Sequence, residues 1–192
     1  MRILGIIPAR GGSKGIVNKN IVDLCGKPLI AWSIKTGLEL VVRDTITKCI
    51  VSTDDPEIAK IAMKYGAEVP FLRPDYAATD QSKSIEYVLH ALDEFDKKGE
   101  QFDAVMVLQP TTPQRNIKDI CKSIKKFMKS GSDSLISCYQ EDYINELVMY
   151  IEESNNRLKP MHIDHNKGVR RQVHGPIFIR NGALYVTNVP YL

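Results

Sequence analysis

Two unbroken apolar runs, Ile3–Ile7 and Ala104–Leu108, constrain this chain more than any other feature. A strand with one wet face alternates polar and apolar residues, whereas an unbroken run has no wet face and must be covered on both sides. Parallel sheets flanked by helices meet that condition. The segments between the runs read as those helices and further strands. Pro28 is expected at the first position of a helix carrying Leu29, Ile30, Trp32, Ser33, Ile34 and Leu38. Lys48–Ser52 reads as a strand. Thr53-Asp54-Asp55-Pro56 is a helix start with an aspartate cap and a proline in the first turn, and Gly66 closes helix 56–65.

A short strand is expected over Glu68–Leu72. Ser82 or Ser84 then opens a helix whose inward face is Ile85, Val88, Leu89, Leu92 and Phe95. Ile117–Lys129 is amphipathic, with Ile117, Ile120, Cys121, Ile124 and Phe127 or Met128 inward, and Ser134–Tyr139 is another strand. The order β-α-β-α-β-α-β-α-β predicts a three-layer α/β/α sandwich with a mostly parallel sheet and right-handed crossovers. Residues 1–192 suit one domain. Residues 141–176 form a polar excursion with weak strand patterns such as Leu147–Ile151, suited to an arm docking on a second subunit. Strand character returns from Pro176 to Val186.

The first apolar run feeds a loop, Ala9-Arg10-Gly11-Gly12-Ser13-Lys14-Gly15, that continues to Lys19-Asn20. It offers glycines, three cations and no acid. Glycines let backbone N–H groups approach an anion, and Arg10, Lys14 and Lys19 would neutralise a polyphosphate. The spacing is neither GxxxxGK[ST] nor GxGxxG. The plain alternative is a basic surface loop. Two more clusters follow strands: Arg73 to Ser84, and Gln109-Pro110-Thr111-Thr112-Pro113-Gln114-Arg115. Ligands of open α/β sheets bind beyond the carboxyl ends of strands, so these loops should share one crevice. For Asp80, Ser82, Thr112 and Arg115, starting the following helix is the competing role.

The net charge of +3 comes from dispersed lysines and arginines, so nucleic acid is not an expected partner, and no apolar run is long enough for a membrane span. Cys25, Cys49, Cys121 and Cys138 are widely spaced and form no CxxC pair. Reduced cysteines in a cytoplasmic protein are expected, some of them in the core, and the N-terminus lacks a signal-peptide plan. His162-Ile163-Asp164-His165 reads as solvated arm histidines rather than a metal cluster, with ligand contact across a subunit interface as the runner-up.

The residues Ile7-Pro8-Ala9-Arg10-Gly11-Gly12-Ser13-Lys14-Gly15 with Lys19-Asn20 resemble the N-terminal signature of the acylneuraminate cytidylyltransferases (CMP-sialic acid synthetases). So do Arg73-Pro74, Leu108-Gln109-Pro110-Thr111-Thr112-Pro113 with Arg115, and Asn181-Gly182-Ala183-Leu184-Tyr185. The resemblance runs in order along the chain and implies a Rossmann-like nucleotidyltransferase fold. It also implies transfer of CMP from CTP to the anomeric hydroxyl of an acidic nine-carbon 2-keto sugar, releasing pyrophosphate.

By residue match, Arg10, Lys14 and Lys19 would be catalytic. Ala9, Arg10, Gly11, Gly12, Ser13, Lys14, Lys19, Asn20, Arg73 and Ser84 would hold the nucleotide. Gln109, Thr111, Arg171 and Asn181 would hold the sugar. Arg171 and Arg180 are the candidates for the sugar's carboxylate, Arg171 being favoured by alignment. The resemblance further implies a homodimer and Mg2+, the metal ligands falling on an Asp-x-Asp motif that relatives carry beyond the position of residue 192. The alternatives are a catalytically impaired CTP-binding homologue, an enzyme like the CMP-Kdo synthetases, and a glycosyltransferase of related architecture.

Overall fold

The computed structural model describes residues 1–141, 149–153, 157–162 and 176–192. Strand β1 (Ile3–Pro8) lies between β2 (Lys48–Ser52) and β3 (Ala104–Val107) and runs parallel to both. Beyond β3 comes β7 (Ile177–Asn188), antiparallel to it, and then β4 (Ser134–Glu141), giving the order β2-β1-β3-β7-β4.

Register explains the two-sided burial of β1. Ile3 and Ile7 face one core, together with Cys49, Val51, Met106 and Leu184. Leu4 and Ile6 face the other, with Ile50 and Val105. Successive side chains of a strand point to opposite faces. Helices α1 (Leu29–Val42), α2 (Pro56–Lys64) and α4 (Ile117–Ser130) cover the first face through Ile30, Ile34, Ile58, Ala62, Ile120, Ile124 and Phe127. Helix α3 (Ser84–Asp96) covers the second through Tyr87, Val88, Ala91 and Phe95. The result is the three-layer α/β/α arrangement expected.

Gly37 lets α1 pass close to β2, and Gly5 leaves β1 clear of Ile46 and Cys49. A Cβ on Gly37 would overlap Cys49 Sγ, and one on Gly5 would sit 2.9 Å from Ile46 Cδ1. The buried Cys49 thiol fills the gap that the two glycines leave, and burial pushes its pKa up to about 12.

The helix starts are chemical. Asp55 accepts from the N–H groups of Glu57 (2.7 Å) and Ile58 (3.2 Å), with Pro56 in the first turn. Asn116 accepts from Lys118 N (2.9 Å) at the start of α4. Gly66 (φ 86°) and Gly131 (φ 66°) follow the ends of α2 and α4 in the left-handed region that favours glycine.

Several expectations need correction. Glu68–Leu72 is not a strand: it makes one parallel bridge, Ile50↔Glu68, because Pro70 has no N–H to continue a ladder. Pro28 sits one residue before α1 rather than inside it. Leu38 and Leu89 are exposed, since Leu40 and Tyr87 with Ala91 turn inward instead, and of the pair Phe127 or Met128 it is Phe127 that is buried.

The chain divides into two compact units. One comprises Met1–Ser137 with Gly182–Leu192, and the other comprises Cys138–Asn181. In the second, β5 (Tyr150–Glu153) pairs antiparallel with β6 (Arg157–Pro160). Ile151, Leu158, Met161 and Phe178 of this unit are exposed. Leu147, Asp164, His165 and Arg171 lie outside the described residues.

Candidate active site

Parallel pairing aligns the carboxyl ends of β1, β2 and β3: Pro8 stands opposite Ser52, and Ile6 opposite Val107. The loops leaving these ends therefore gather in one place. They enclose a crevice of about 250 Å3. Its walls include Arg10, Ser13, Lys19 and Asn20 from the first loop, Arg73 from the segment before α3, Ser84 at the first position of α3, and Gln109 and Thr111 after β3. Eight of the fourteen residues singled out in the sequence thus meet around one space.

The first loop is fastened along its backbone. Ala9 N donates to Ser52 O (2.9 Å), Gly11 N to Asp54 Oδ1 (2.9 Å), and the buried Asn20 donates through Nδ2 to Arg10 O (2.9 Å). Asp54 is therefore not a helix cap, a role that falls to Asp55 alone. It ties the end of β2 to the glycine loop. Gly11 is also where the loop passes Asp55: a Cβ there would come 3.1 Å from Asp55 Oδ2. Gly12 turns the chain at φ 60° and is exposed. Ala9, Gly11 and Gly12 shape the loop rather than line the crevice. Asn20 does both, as its buried amide is already engaged with Arg10.

Arg73 is only 5% exposed and is held by the end of β2: Nε donates to Ser52 Oγ (3.0 Å) and Nη2 to Ser52 O (2.6 Å). Its guanidinium lies 4.6 Å from the centroid of the Tyr87 ring. Burial holds its pKa below the ordinary arginine value, and the guanidinium still stays charged at neutral pH. Among the described residues no carboxylate forms an ion pair with it, and its charge is met by the Ser52 oxygens, the Tyr87 ring face and the more distant Asp54 carboxylate. A fixed cation of this kind in a crevice wall suits an anionic ligand.

Arg10 and Lys14 meet an acid. Arg10 Nη2 lies 2.6 Å from Asp80 Oδ1, and Lys14 Nζ lies 2.5 Å from Asp80 Oδ2. The two cations hold the Asp80 carboxyl below the usual aspartate range. Asp80 lines the crevice and Lys14 is largely exposed. The expectation that Asp80 starts α3 gives way to this cross-loop pairing. Ser82 makes the local turn instead, donating to Tyr76 O (2.7 Å) and accepting from Thr79 N (2.9 Å).

The third loop is clasped by Arg115. Its Nη2 donates to Gln109 O (2.6 Å), Nη1 to Ser33 Oγ (2.9 Å) and Nε to Ala183 O (2.8 Å). One side chain thereby joins α1, the turn after β3, and β7, and burial lowers its pKa to about 10. A cation just ahead of a helix start opposes the helix dipole, the one sequence signal that Arg115 has another partner. Opposite Gln109 stands Gly182 at φ 74°, where a Cβ would come 3.0 Å from Thr112 Oγ1 and 3.1 Å from Gln109 Oε1. The Asn-Gly-Ala turn needs its glycine for conformation and for clearance. Asn181 and Arg180 belong to the second unit and are exposed.

Among the described residues no three His, Cys, Asp or Glu side chains gather as metal ligands. Asp54 and Asp80 are engaged by Gly11 N and by Arg10 with Lys14.

This fold recurs in solved structures. CMP:2-keto-3-deoxy-manno-octonic acid synthetase complexed with CTP superposes with a TM-score of 0.69 at 16% identity, over 98% of this chain and 74% of that one. Sequence relatives are nearer. The pseudaminic acid cytidylyltransferase of Campylobacter jejuni subsp. jejuni serotype O:23/36 is 37% identical over 155 residues, 81% of this chain and 66% of its own length. The CMP-N,N'-diacetyllegionaminic acid synthase of Legionella pneumophila subsp. pneumophila is 36% identical over 97% of this chain and 78% of its own. The N-acylneuraminate cytidylyltransferase of Escherichia coli O18:K1:H7 is 31% identical over 97% of this chain and 42% of its own. The chain thus spans just under two thirds of the Campylobacter relative. A family model described as cytidylyltransferase matches residues 4–185, which takes in all three crevice loops, and the chain belongs to that family.

Proposed function

We propose that this chain transfers a cytidylyl group from CTP to the anomeric hydroxyl of an acidic nine-carbon 2-keto sugar, releasing pyrophosphate. The observation that carries the reading is the crevice beyond β1, β2 and β3, where Arg10, Lys19 and the buried Arg73 converge. The names of the relatives, which concern pseudaminic, legionaminic and N-acylneuraminic acids, support the sugar class.

In such a transfer the hydroxyl attacks the α-phosphorus and pyrophosphate leaves in line. Charge builds on the phosphoryl and leaving-group oxygens, so the protein's task is positioning and electrostatic stabilisation. Arg10, Lys14 and Lys19 would neutralise the triphosphate. Arg73, held by Ser52, would act as a fixed cation needing little reorganisation when charge develops. Ser13 and Ser84 would add hydroxyl donors. The Gln109 and Thr111 side chains would orient the sugar from a turn held still by Arg115. The sugar carboxylate calls for a planar, bidentate cation, and Arg171 is the candidate that the sequence motif supplies.

A divalent cation, Mg2+ in the first instance, would enter with the triphosphate and offset its charge. We place the enzyme in the cytoplasm, as a homodimer joined through the second unit, whose apolar side chains include Ile151, Leu158 and Phe178. No described helix is long and apolar enough to cross a membrane.

The test is pyrophosphate release from CTP and Mg2+ with a panel of nine-carbon 2-keto acids. Turnover with at least one acid is expected. Lys19→Ala should lower it by about a hundredfold, the usual cost of one transition-state donor, while leaving the circular dichroism spectrum unchanged. No turnover with any acid, or full turnover by the variant, would overturn the respective claim.

A further inference from the structure

Asp80 is a carboxylate in a crevice otherwise suited to anions. It comes from the segment before α3, and its two oxygens take Arg10 (2.6 Å) and Lys14 (2.5 Å), the arginine lying 70 residues earlier in the chain. Neither local turn chemistry nor helix capping explains it. Ser82 makes the turn with Thr79 and Tyr76, and α3 begins at Ser84 without a side-chain cap. Asp80 is itself exposed, so burial does not hold it in place.

The loop that carries the two cations is anchored elsewhere, by Asn20 on Arg10 O and by Asp54 on Gly11 N. The backbone can therefore stay fixed while the Arg10 and Lys14 side chains change partner. A carboxylate presenting two oxygens to an arginine and a lysine mimics the oxygen pair of a phosphoryl group.

We propose that Asp80 is a built-in competitor for the phosphate-binding cations, one that makes occupancy of Arg10 and Lys14 depend on the charge a ligand brings. A ligand seated on these cations must displace one unit of negative charge. A triphosphate, with several charges spread over neighbouring oxygens, gains more than it displaces, whereas a ligand with a single phosphoryl charge gains little. The assignment of a triphosphate as the natural ligand rests on the function proposed above. On that reading, transfer splits the triphosphate, both products carry less charge than the substrate, and Asp80 returns to the cations as they leave. Asp80 thereby favours CTP over product at the same site.

The experiment is calorimetric titration of the full chain and of Asp80→Asn with inorganic tripolyphosphate, CTP and cytidine, at low and moderate salt. Asp93→Asn, which removes an equal charge from the far half of α3, serves as the control. Asp80→Asn should bind tripolyphosphate and CTP roughly fivefold more tightly, the scale set by two exposed ion pairs, and the gain should shrink with salt. Cytidine affinity and the Asp93→Asn values should match the unaltered protein. Unchanged or weaker tripolyphosphate binding by Asp80→Asn would overturn the proposal, as would an equal gain in Asp93→Asn. Tighter tripolyphosphate binding with no CTP binding by either protein would uphold the competitor and sink the nucleotide reading. CTP bound by both proteins, with no gain for either ligand in Asp80→Asn, would do the reverse.

Discussion

Arg115→Met removes the clasp of the third loop while keeping most of the side chain's aliphatic volume. Three acceptors lose a donor: Gln109 O at 2.6 Å, Ala183 O at 2.8 Å and Ser33 Oγ at 2.9 Å. Ser33 is fully buried, and among the described residues its hydroxyl has a long contact with Gln109 O (3.5 Å) in reserve. Hydrogen bonds from a charged donor contribute about 1.5 kcal/mol or more each, but partial solvation of Arg115 lets water repair some of the loss, so about 3 kcal/mol is expected in total. For a chain of this size that corresponds to a fall in Tm of roughly 6–12 °C. Arg115→Lys separates charge from shape. An ammonium reaches one acceptor well and cannot serve the three directions of a guanidinium, so it should recover no more than about a third of the loss. Differential scanning calorimetry of the three proteins measures this. A fall of less than about 2 °C in Arg115→Met, or full recovery in Arg115→Lys, would show that the clasp does not hold the loop. Because Gln109 is held through its own carbonyl, turnover should drop in both variants even at temperatures where they are fully folded.

Other outcomes follow from the packing and the charges. Gly37→Ala drives a methyl into Cys49 Sγ and should destabilise by about 1–3 kcal/mol in urea, with partial recovery in Gly37→Ala/Cys49→Ala; no change would show that the α1–β2 contact yields freely. In a thiol-labelling time course at about pH 8, Cys25 and Cys138 should react at once, whereas Cys49, buried with a pKa of about 12, should react only on unfolding; early labelling of Cys49 would contradict its place in the core. The Asp80 carboxyl is depressed by Lys14 and Arg10, so its pairing is complete above the unfolded aspartate pKa of about 4 and is lost as pH falls through the lower folded value. A carboxyl-carbon NMR titration should place its midpoint below that of a free aspartate, and a midpoint at or above it would contradict the pairing.

What could be read from the chain alone divides along the range of the interactions involved. β1 and β3 are legible because unbroken apolar runs have one structural meaning, and α2 is legible because Asp55, Pro56 and Gly66 act on neighbouring residues. The crevice is legible because strand ends in a parallel sheet must gather their loops. The acids are harder. Asp54, Asp55 and Asp80 all precede helices, and spacing cannot say which caps a helix and which crosses to another loop. In the structure Asp55 caps, Asp54 holds Gly11, and Asp80 pairs with Arg10 and Lys14. Arg115 is hidden for the same reason, since two of its three acceptors lie 68 and 82 residues away. Glu68–Leu72 shows the opposite error, in which apolar residues suggest a ladder that Pro70 cannot join.

The proposed transfer requires nucleotide phosphates among Arg10, Lys19 and Arg73, beyond the ends of β1, β2 and β3. A crystal structure of the protein soaked with CTP puts that placement to the test. Triphosphate density is expected within hydrogen-bonding distance of Arg10 and Lys19, with Asp80 turned away from the cations. Well-ordered CTP at any other place on the protein, with Asp80 still bridging Arg10 and Lys14, would contradict it.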